Sequence, residues 1–405
     1  MNENPLDAFD PRALGARLKE VREARGWTQQ DVAKRLGFAR TTMVAIEKGE
    51  RRLKPRELVE LAGLYGRQVS DLLQRGAPAE GFAVQLRGSI TPSAPIEADF
   101  LPYIEEFQNL CEDYARLEAI CEAPLSRRYP PEYDIRGGDP EVAAEDVAAS
   151  ERHRLALGDG PLLNLRETLE ADVGLRVFQM DLPSKVAGMF AFTDDLGGCI
   201  AVNLRHPPER RRASLGHEYG HFLTSRYRSE ITLEHRYERR PTGERFAEAF
   251  ARAFLMPSSG LRRRFLDLER MRPKGVTHGD LCRLAHFYAV SVEAMTRRLE
   301  ELRLIPTGTW DRLRLEGFRV REAQRLLGLE ALTTDADAPP PRFVALAVEA
   351  WQRADLSEGQ LAQILRTDRL GARERVQELG QASSNSGELQ DSIDFTIPLL
   401  RSAAG

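Results

Sequence analysis

The chain of 405 residues is too long for one ordinary domain, and two to four are expected. Its 58 basic and 62 acidic side chains give a net charge of −4, divided as +4 over residues 1–75 (fifteen basic, eleven acidic) and −8 over the rest, a positive module on an acidic body. Cys111, Cys121, Cys199 and Cys282 are scattered without CxxC spacing, which excludes a disulfide framework or a zinc ribbon, and no apolar run approaches the ~18 residues of a membrane span.

Residues 1–10 are acidic and polar, without a basic or apolar targeting region, so a soluble cytoplasmic protein with no membrane partner is expected. Over 11–26, Leu14, Leu18 and Val21 recur at helical spacing. Thr28 then caps a short helix that Gly37 ends, and a second helix within 39–49 carries Met43 and Ile46 inward. This is a helix-turn-helix pattern. With Thr28-Gln29, Val32-Ala33, Leu36-Gly37, the turn at 46–51 and closing helices at 55–65 and 69–73, it resembles the XRE class of phage-repressor-like domains. The resemblance implies a double-stranded DNA operator as partner. Arg40, Thr41, Thr42 and Ala45 would face base edges, with Gln29 and Lys48 nearer phosphates. A fold of this kind used only for protein contacts is the alternative.

Residues 76–98 read as a Gly-, Ala- and Pro-rich linker, followed by a helical connector over 99–138. There a helix near 100–122 aligns Tyr103, Phe107, Leu110, Tyr114 and Leu117 on a stripe for packing or a dimer contact, and 127–140 is loop. Strands are expected at 175–180 and at 199–203, the latter half-buried beside the next helix. Either 188–192 or 199–203 could be an edge that pairs with an extended substrate, or an interior strand.

The helix expected over 210–224 contains His217-Glu218-Tyr219-Gly220-His221. Histidines four apart project from one face and can hold one metal ion. A metal held this way lowers the pKa of its water to about 7, and Glu218 is placed to accept the proton as water attacks a peptide carbonyl. A third ligand is needed, and Thr224 and Tyr227 stand where a glycine and a third histidine would continue the motif. A following helix over 241–256, capped by Thr242, offers Glu244 as the ligand and Glu248 as a carboxylate that orients a ligand histidine, with the reverse assignment open. Phe246, Phe250, Ala253 and Phe254 form the apolar face of that helix. His235, as ligand or oxyanion donor, and Asn203 are the candidates to touch the oxyanion or substrate.

Residues 140–260 resemble the ImmA/IrrE metallopeptidases. The resemblance is carried by Leu169-Glu170 with Gly174 before a strand, the run 199–203 ending in Asn203, Arg210-Arg211-Arg212, the His217–His221 motif and Leu255-Met256-Pro257. Glu248 departs from the asparagine usual in that family. The resemblance implies an α+β zincin-like peptidase over 139–262 that uses zinc, with manganese left open, and cleaves XRE-type repressor proteins after a stress or DNA-damage cue. Fusion to a DNA-binding module adds recruitment to an operator or self-cleavage in the 76–95 linker. A regulator whose peptidase-like domain senses or dimerises with little turnover is the alternative.

Residues 263–332 form a helical extension in which 277–302 reads as a second helix-turn-helix-like element, with Leu284-Ala285 and Tyr288 echoing Leu61-Ala62 and Tyr65. It is expected to buttress the peptidase. A linker at 333–341 precedes a C-terminal module, 342–405, in which Ser357 and Gln360 cap a helix. The whole reads as mainly α and multidomain, with a homodimer among its expected assemblies.

Overall fold

The computed structural model describes residues 10–24, 27–65, 69, 72, 86, 97–228, 230–233, 241–272, 275–329 and 339–377. The chain divides into two units, Met1–Gly88 and Ser89–Gly405. Most of the 76–98 linker, His235 and the tail from 378 lie outside the described residues.

The first unit is all-α: α1 Pro11–Ala24, α2 Gln29–Leu36, α3 Arg40–Glu47 and α4 Pro55–Leu64. Thr28 and Asp31 close a reciprocal capping box at the start of α2, and Gly37, at φ 70°, takes the left-handed conformation that ends it. Leu14, Leu18, Val32, Met43, Ile46, Leu58, Leu61 and Tyr65 form the core, with Val21 packed at its margin. Of the expected closing segment 69–73, only Val69 and Leu72 are described.

The second unit opens with α5 Glu97–Ile120 and α6 Pro140–Arg154, then α7 Leu165–Thr168 with a wide turn over Leu169–Val173 that Gly174, at φ 88°, terminates. β1 Arg176–Met180, β2 Val186–Thr193, β3 Gly197–Asn203 and β4 Glu230–Leu233 make one sheet in the order β1-β3-β2-β4. β1 runs parallel to β3; the other pairings are antiparallel. Both strands considered as a substrate edge are therefore interior, and the edges are β1 and β4. β3 is buried along its whole length rather than half-buried, because the sheet is covered twice. On one face α8, Pro208–Ser225, sets Phe222 against Phe190 and Phe192. On the other, α5 sets Phe107 and Tyr114 against Phe178.

Coverage also corrects the α5 stripe. Ile104, Phe107, Cys111, Tyr114 and Leu117 are buried, while Tyr103 and Leu110 are half-buried flanks. The buried face packs within the chain, against β1 and against the later helix Pro341–Gln352, where Tyr114 meets Phe343.

After α9 Thr242–Leu255 come α10 Ser258–Met271, α11 His278–Phe287, α12 Val292–Glu301, α13 Thr309–Leu315, α14 Val320–Leu326, α15 Pro341–Gln352 and α16 Glu358–Ile364. The α9 cap differs from expectation: Pro241 holds the cap position and Thr242 is already helical, so its hydroxyl caps nothing. Ser357 and Gln360 do form a capping box. Leu281, Leu284, Ala285, Tyr288, Met295 and Leu299 of α11 and α12 join the core that holds Tyr219, Phe222, Phe250 and Phe254. Ion pairs tie the C-terminal helices to α5: the buried Glu118, which also accepts from Arg176 of β1 at 2.6 Å, accepts from Arg342 at 2.8 Å, while the more exposed Arg366 reaches Glu106 and Asp113 at 2.7 and 2.6 Å. Among the described residues no helix is long and apolar enough to cross a membrane.

Candidate metal centre

Helices α8 and α9 can approach closely because small residues meet along their seam. A Cβ on Gly220 would lie 3.0 Å from the Ala247 Cα and 3.2 Å from Phe250, and one on Gly216 would lie 3.3 Å from the Ala251 Cβ. That seam brings the first turn of α9 beside the two histidines. His217 Nε2 and His221 Nε2 are 3.0 Å apart; Glu244 Oε2 is 3.4 Å from the first and Oε1 is 3.3 Å from the second. Of the two glutamates left open by the sequence, Glu244 is the one placed with the histidines.

The donor set fits a divalent ion. A tetrahedral zinc site with arms of ~2.1 Å has edges of ~3.4 Å, close to the two separations that involve the Glu244 oxygens and longer than that between the histidines, and ligand atoms of His217, His221 and Glu244 lie within 4.8 Å of one another. Burial opposes ionisation of Glu244, but hydrogen bonding to His217 and His221 outweighs it and holds the carboxyl well below its usual range. The His221 side chain is 3% exposed, against 14% for His217 and 27% for Glu244, so the cluster meets solvent on the His217 and Glu244 side. Glu218 is fully buried beside it.

Several groups hold α8 in place. Tyr219 donates its hydroxyl to the buried Glu151 of α6, which also accepts from Tyr133 at 3.0 Å and Arg154 at 2.7 Å. Nothing in the sequence pointed to Glu151, since the two tyrosines it joins are 18 and 68 residues away. Two members of the basic run likewise point inward: Arg211 donates to Gln179 at 3.0 Å, and Arg212 donates to the Ala289 and Leu163 carbonyls at 3.0 and 2.6 Å. Burial lowers the Arg212 pKa to about 10.

Two further candidates fall elsewhere. Asn203 is buried and donates its amide to the carbonyls of Pro183 at 3.0 Å and Val186 at 2.7 Å. Both amide hydrogens are thereby used, so Asn203 clasps the β1–β2 connection and has none left for an oxyanion. Glu248 pairs with Arg252 at 3.0 Å, one turn along its own helix. Tyr227 stacks edge-on against Phe192 while remaining 65% exposed.

In the first unit, Arg40, Thr41 and Lys48 are exposed, and Thr42 and Ala45 are half-buried. The Gln29 amide donates to Glu47 Oε2 at 2.8 Å, and Glu47 is held in a buried pair with Arg22 at 2.6 Å. Gln29 is thus tied to the end of α3, which couples the two helices of the motif.

Residues 13–74 match the family model of a helix-turn-helix domain, and residues 170–300 match the IrrE N-terminal-like domain, a peptidase family. A comparison with curated proteins finds no match. Among solved structures, ComR from Streptococcus suis aligns over 94% of this chain and 96% of its own at 10% identity, with a TM-score of 0.16. The apo form of ComR from S. thermophilus aligns over 94% and 99% at 11% identity, with a TM-score of 0.15.

Proposed function

We propose that this chain, in which a helix-turn-helix domain and an IrrE N-terminal-like peptidase domain are joined, is a DNA-binding, metal-dependent endopeptidase of the cytoplasm that controls transcription by proteolysis. Its substrate is a repressor-type protein, or its own 76–95 linker, cut in response to stress or DNA damage. The DNA partner is a duplex operator read by Arg40, Thr41, Thr42 and Ala45, and two copies of the chain on a symmetric site suit such a reader. The observation that carries the reading is the triangle of His217, His221 and Glu244 donors with a buried glutamate on the intervening turn.

His217, His221 and Glu244 would hold the ion, zinc by the size of the triangle, with manganese compatible with the same donors. Such an ion supplies Lewis acidity to the scissile carbonyl and acidifies water. Glu218 takes the proton of the attacking water on its carboxylate and passes it to the leaving amine as the peptide bond breaks. The fully buried wall beside Glu218 keeps bulk water from competing for that proton.

The decisive experiment compares wild type with Glu218→Gln for cleavage of candidate repressors and of the chain itself, with metal content measured in both. Cleavage by wild type alone, at about one ion per chain in each, supports the peptidase. Equal inactivity towards every substrate and cue supports the second reading, a DNA-binding regulator whose peptidase-like domain senses or dimerises. That second reading draws on the burial of Glu218, which leaves its carboxylate without a solvent-facing surface.

A further inference from the structure

The face of β2 that packs on α8 runs Gly188, Phe190, Phe192, since alternate residues of a strand share a face. Phe190 and Phe192 lie against Phe222, with ring centroids 5.9 and 6.5 Å away. Glu218 is one helical turn before Phe222 and meets the strand at Gly188. A Cβ built on Gly188 would stand 2.6 Å from Glu218 Oε1, 3.1 Å from its Cδ and 3.1 Å from the Ala201 carbonyl oxygen. A strand-interior glycine weakens a sheet by roughly 0.5–1 kcal/mol relative to alanine. Here the missing side chain leaves the volume that the carboxylate occupies. The strand is also held at this point. The Asn203 amide grips the Val186 carbonyl two residues earlier, and the β2–β4 register shifts between Val186 and Gly188.

We infer that Gly188 is a positioning residue: its bare backbone, anchored through Asn203 and Val186, is the surface on which the Glu218 carboxylate rests and by which it is aimed at the cluster of His217, His221 and Glu244. This rests on the peptidase reading for its catalytic meaning, though the contact itself stands apart from activity. Any side chain at 188 pushes the end of Glu218 aside, because a flexible carboxylate yields more easily than the flanking strand. None of the three atoms nearest that Cβ belongs to His217, His221 or Glu244, so the ligands are expected to keep their places.

The test is Gly188→Ala in the full-length, metal-loaded protein, read in two ways. Crystal structures of wild type and variant should show the Glu218 carboxylate displaced while His217, His221 and Glu244 keep their places. If wild type cuts a repressor, kcat of the variant should fall by ~100-fold, the scale of a misplaced general base, with KM and metal content held. An unmoved Glu218 would overturn the inference, as would undiminished kcat. If wild type cuts nothing, the peptidase reading fails but the crystallographic outcome still decides the contact. Should Gly188→Ala alone not fold, it is placed in a Glu218→Asp background, where the shorter side chain should restore folding; failure there too would assign the glycine to the Ala201 carbonyl contact and overturn the role.

Discussion

Two helix-turn-helix pairs in this chain begin with the same local chemistry and end in different environments. Thr28 and Asp31 cap α2, and Thr277 and Asp280 cap α11, each pair as a reciprocal capping box. A second short helix follows in both. In the first unit, α3 leaves Arg40 and Thr41 in solvent. In the second, the inner face of α12 holds even polar residues out of solvent: Thr296 is 0% and Arg298 4% exposed, and Arg298 donates to the Met256 carbonyl at 3.2 Å and pairs with Glu145. Capping and spacing set the shape of the motif. Its use is set by what lies across from its second helix. Even the turn is occupied in the second copy, where the Ala289 carbonyl accepts from Arg212 of α8.

Arg298→Ala should break the comparison most strongly, costing about 3 kcal/mol of unfolding free energy because Glu145 and the Met256 carbonyl lose a buried cationic partner; thermal unfolding of the full chain checks this. Arg40→Ala should leave that transition within about 0.5 kcal/mol and instead weaken binding to the preferred duplex by about 1–3 kcal/mol. Equal weakening on all duplexes, read by titration at fixed salt, would mean that α3 does not read bases. Thr28→Ala and Thr277→Ala should each cost about 1 kcal/mol, so similar losses from exposed and buried motifs would confirm that the caps act locally.

Acid should weaken both caps, since the Thr28 hydroxyl holds the Asp31 carboxyl below its ordinary value as well. Burial raises the Asp280 pKa, but hydrogen bonds from Thr277 and the Arg272 guanidinium outweigh it and hold the carboxyl below its ordinary value. A carboxyl depressed in the folded state contributes stability above its unfolded pKa and loses it as pH falls through the folded one. Stability of the second unit should therefore decline below about pH 4, and less steeply in Asp280→Asn. Denaturant titrations at pH 5 and pH 3 measure the difference.

The same distinction between local and long-range causes explains what could be read from the sequence. Thr28, Gly37, Ser357 and the histidine pair were legible because their partners lie within four residues. Glu244 was legible because the phenylalanines of its own helix mark the face that packs. The grip of Asn203 on the β1–β2 connection was not legible because its carbonyl partners are 17 and 20 residues away, and an asparagine looks the same in sequence whether it grips a loop or a substrate. The burial of β3 depended on two covering helices, α5 far before it in the chain and α8 just after it. Thr242 lost the cap to a neighbouring proline, whose φ of −55° and ψ of 154° already provide the entry bend.

The glycine and alanine seam between α8 and α9 has a further consequence. Two donors of the triangle ride on one helix and the third on the other, so the edges that involve Glu244 measure the gap between helices. A coordination shell tolerates only ~0.2 Å in its bond lengths. One added methyl at Gly220 or Ala247 would widen the triangle by more than that while every ligand stayed in the sequence. On the peptidase reading the seam would act as a calliper on ionic radius, so that the preference for a smaller or larger divalent ion could shift through residues that never touch it.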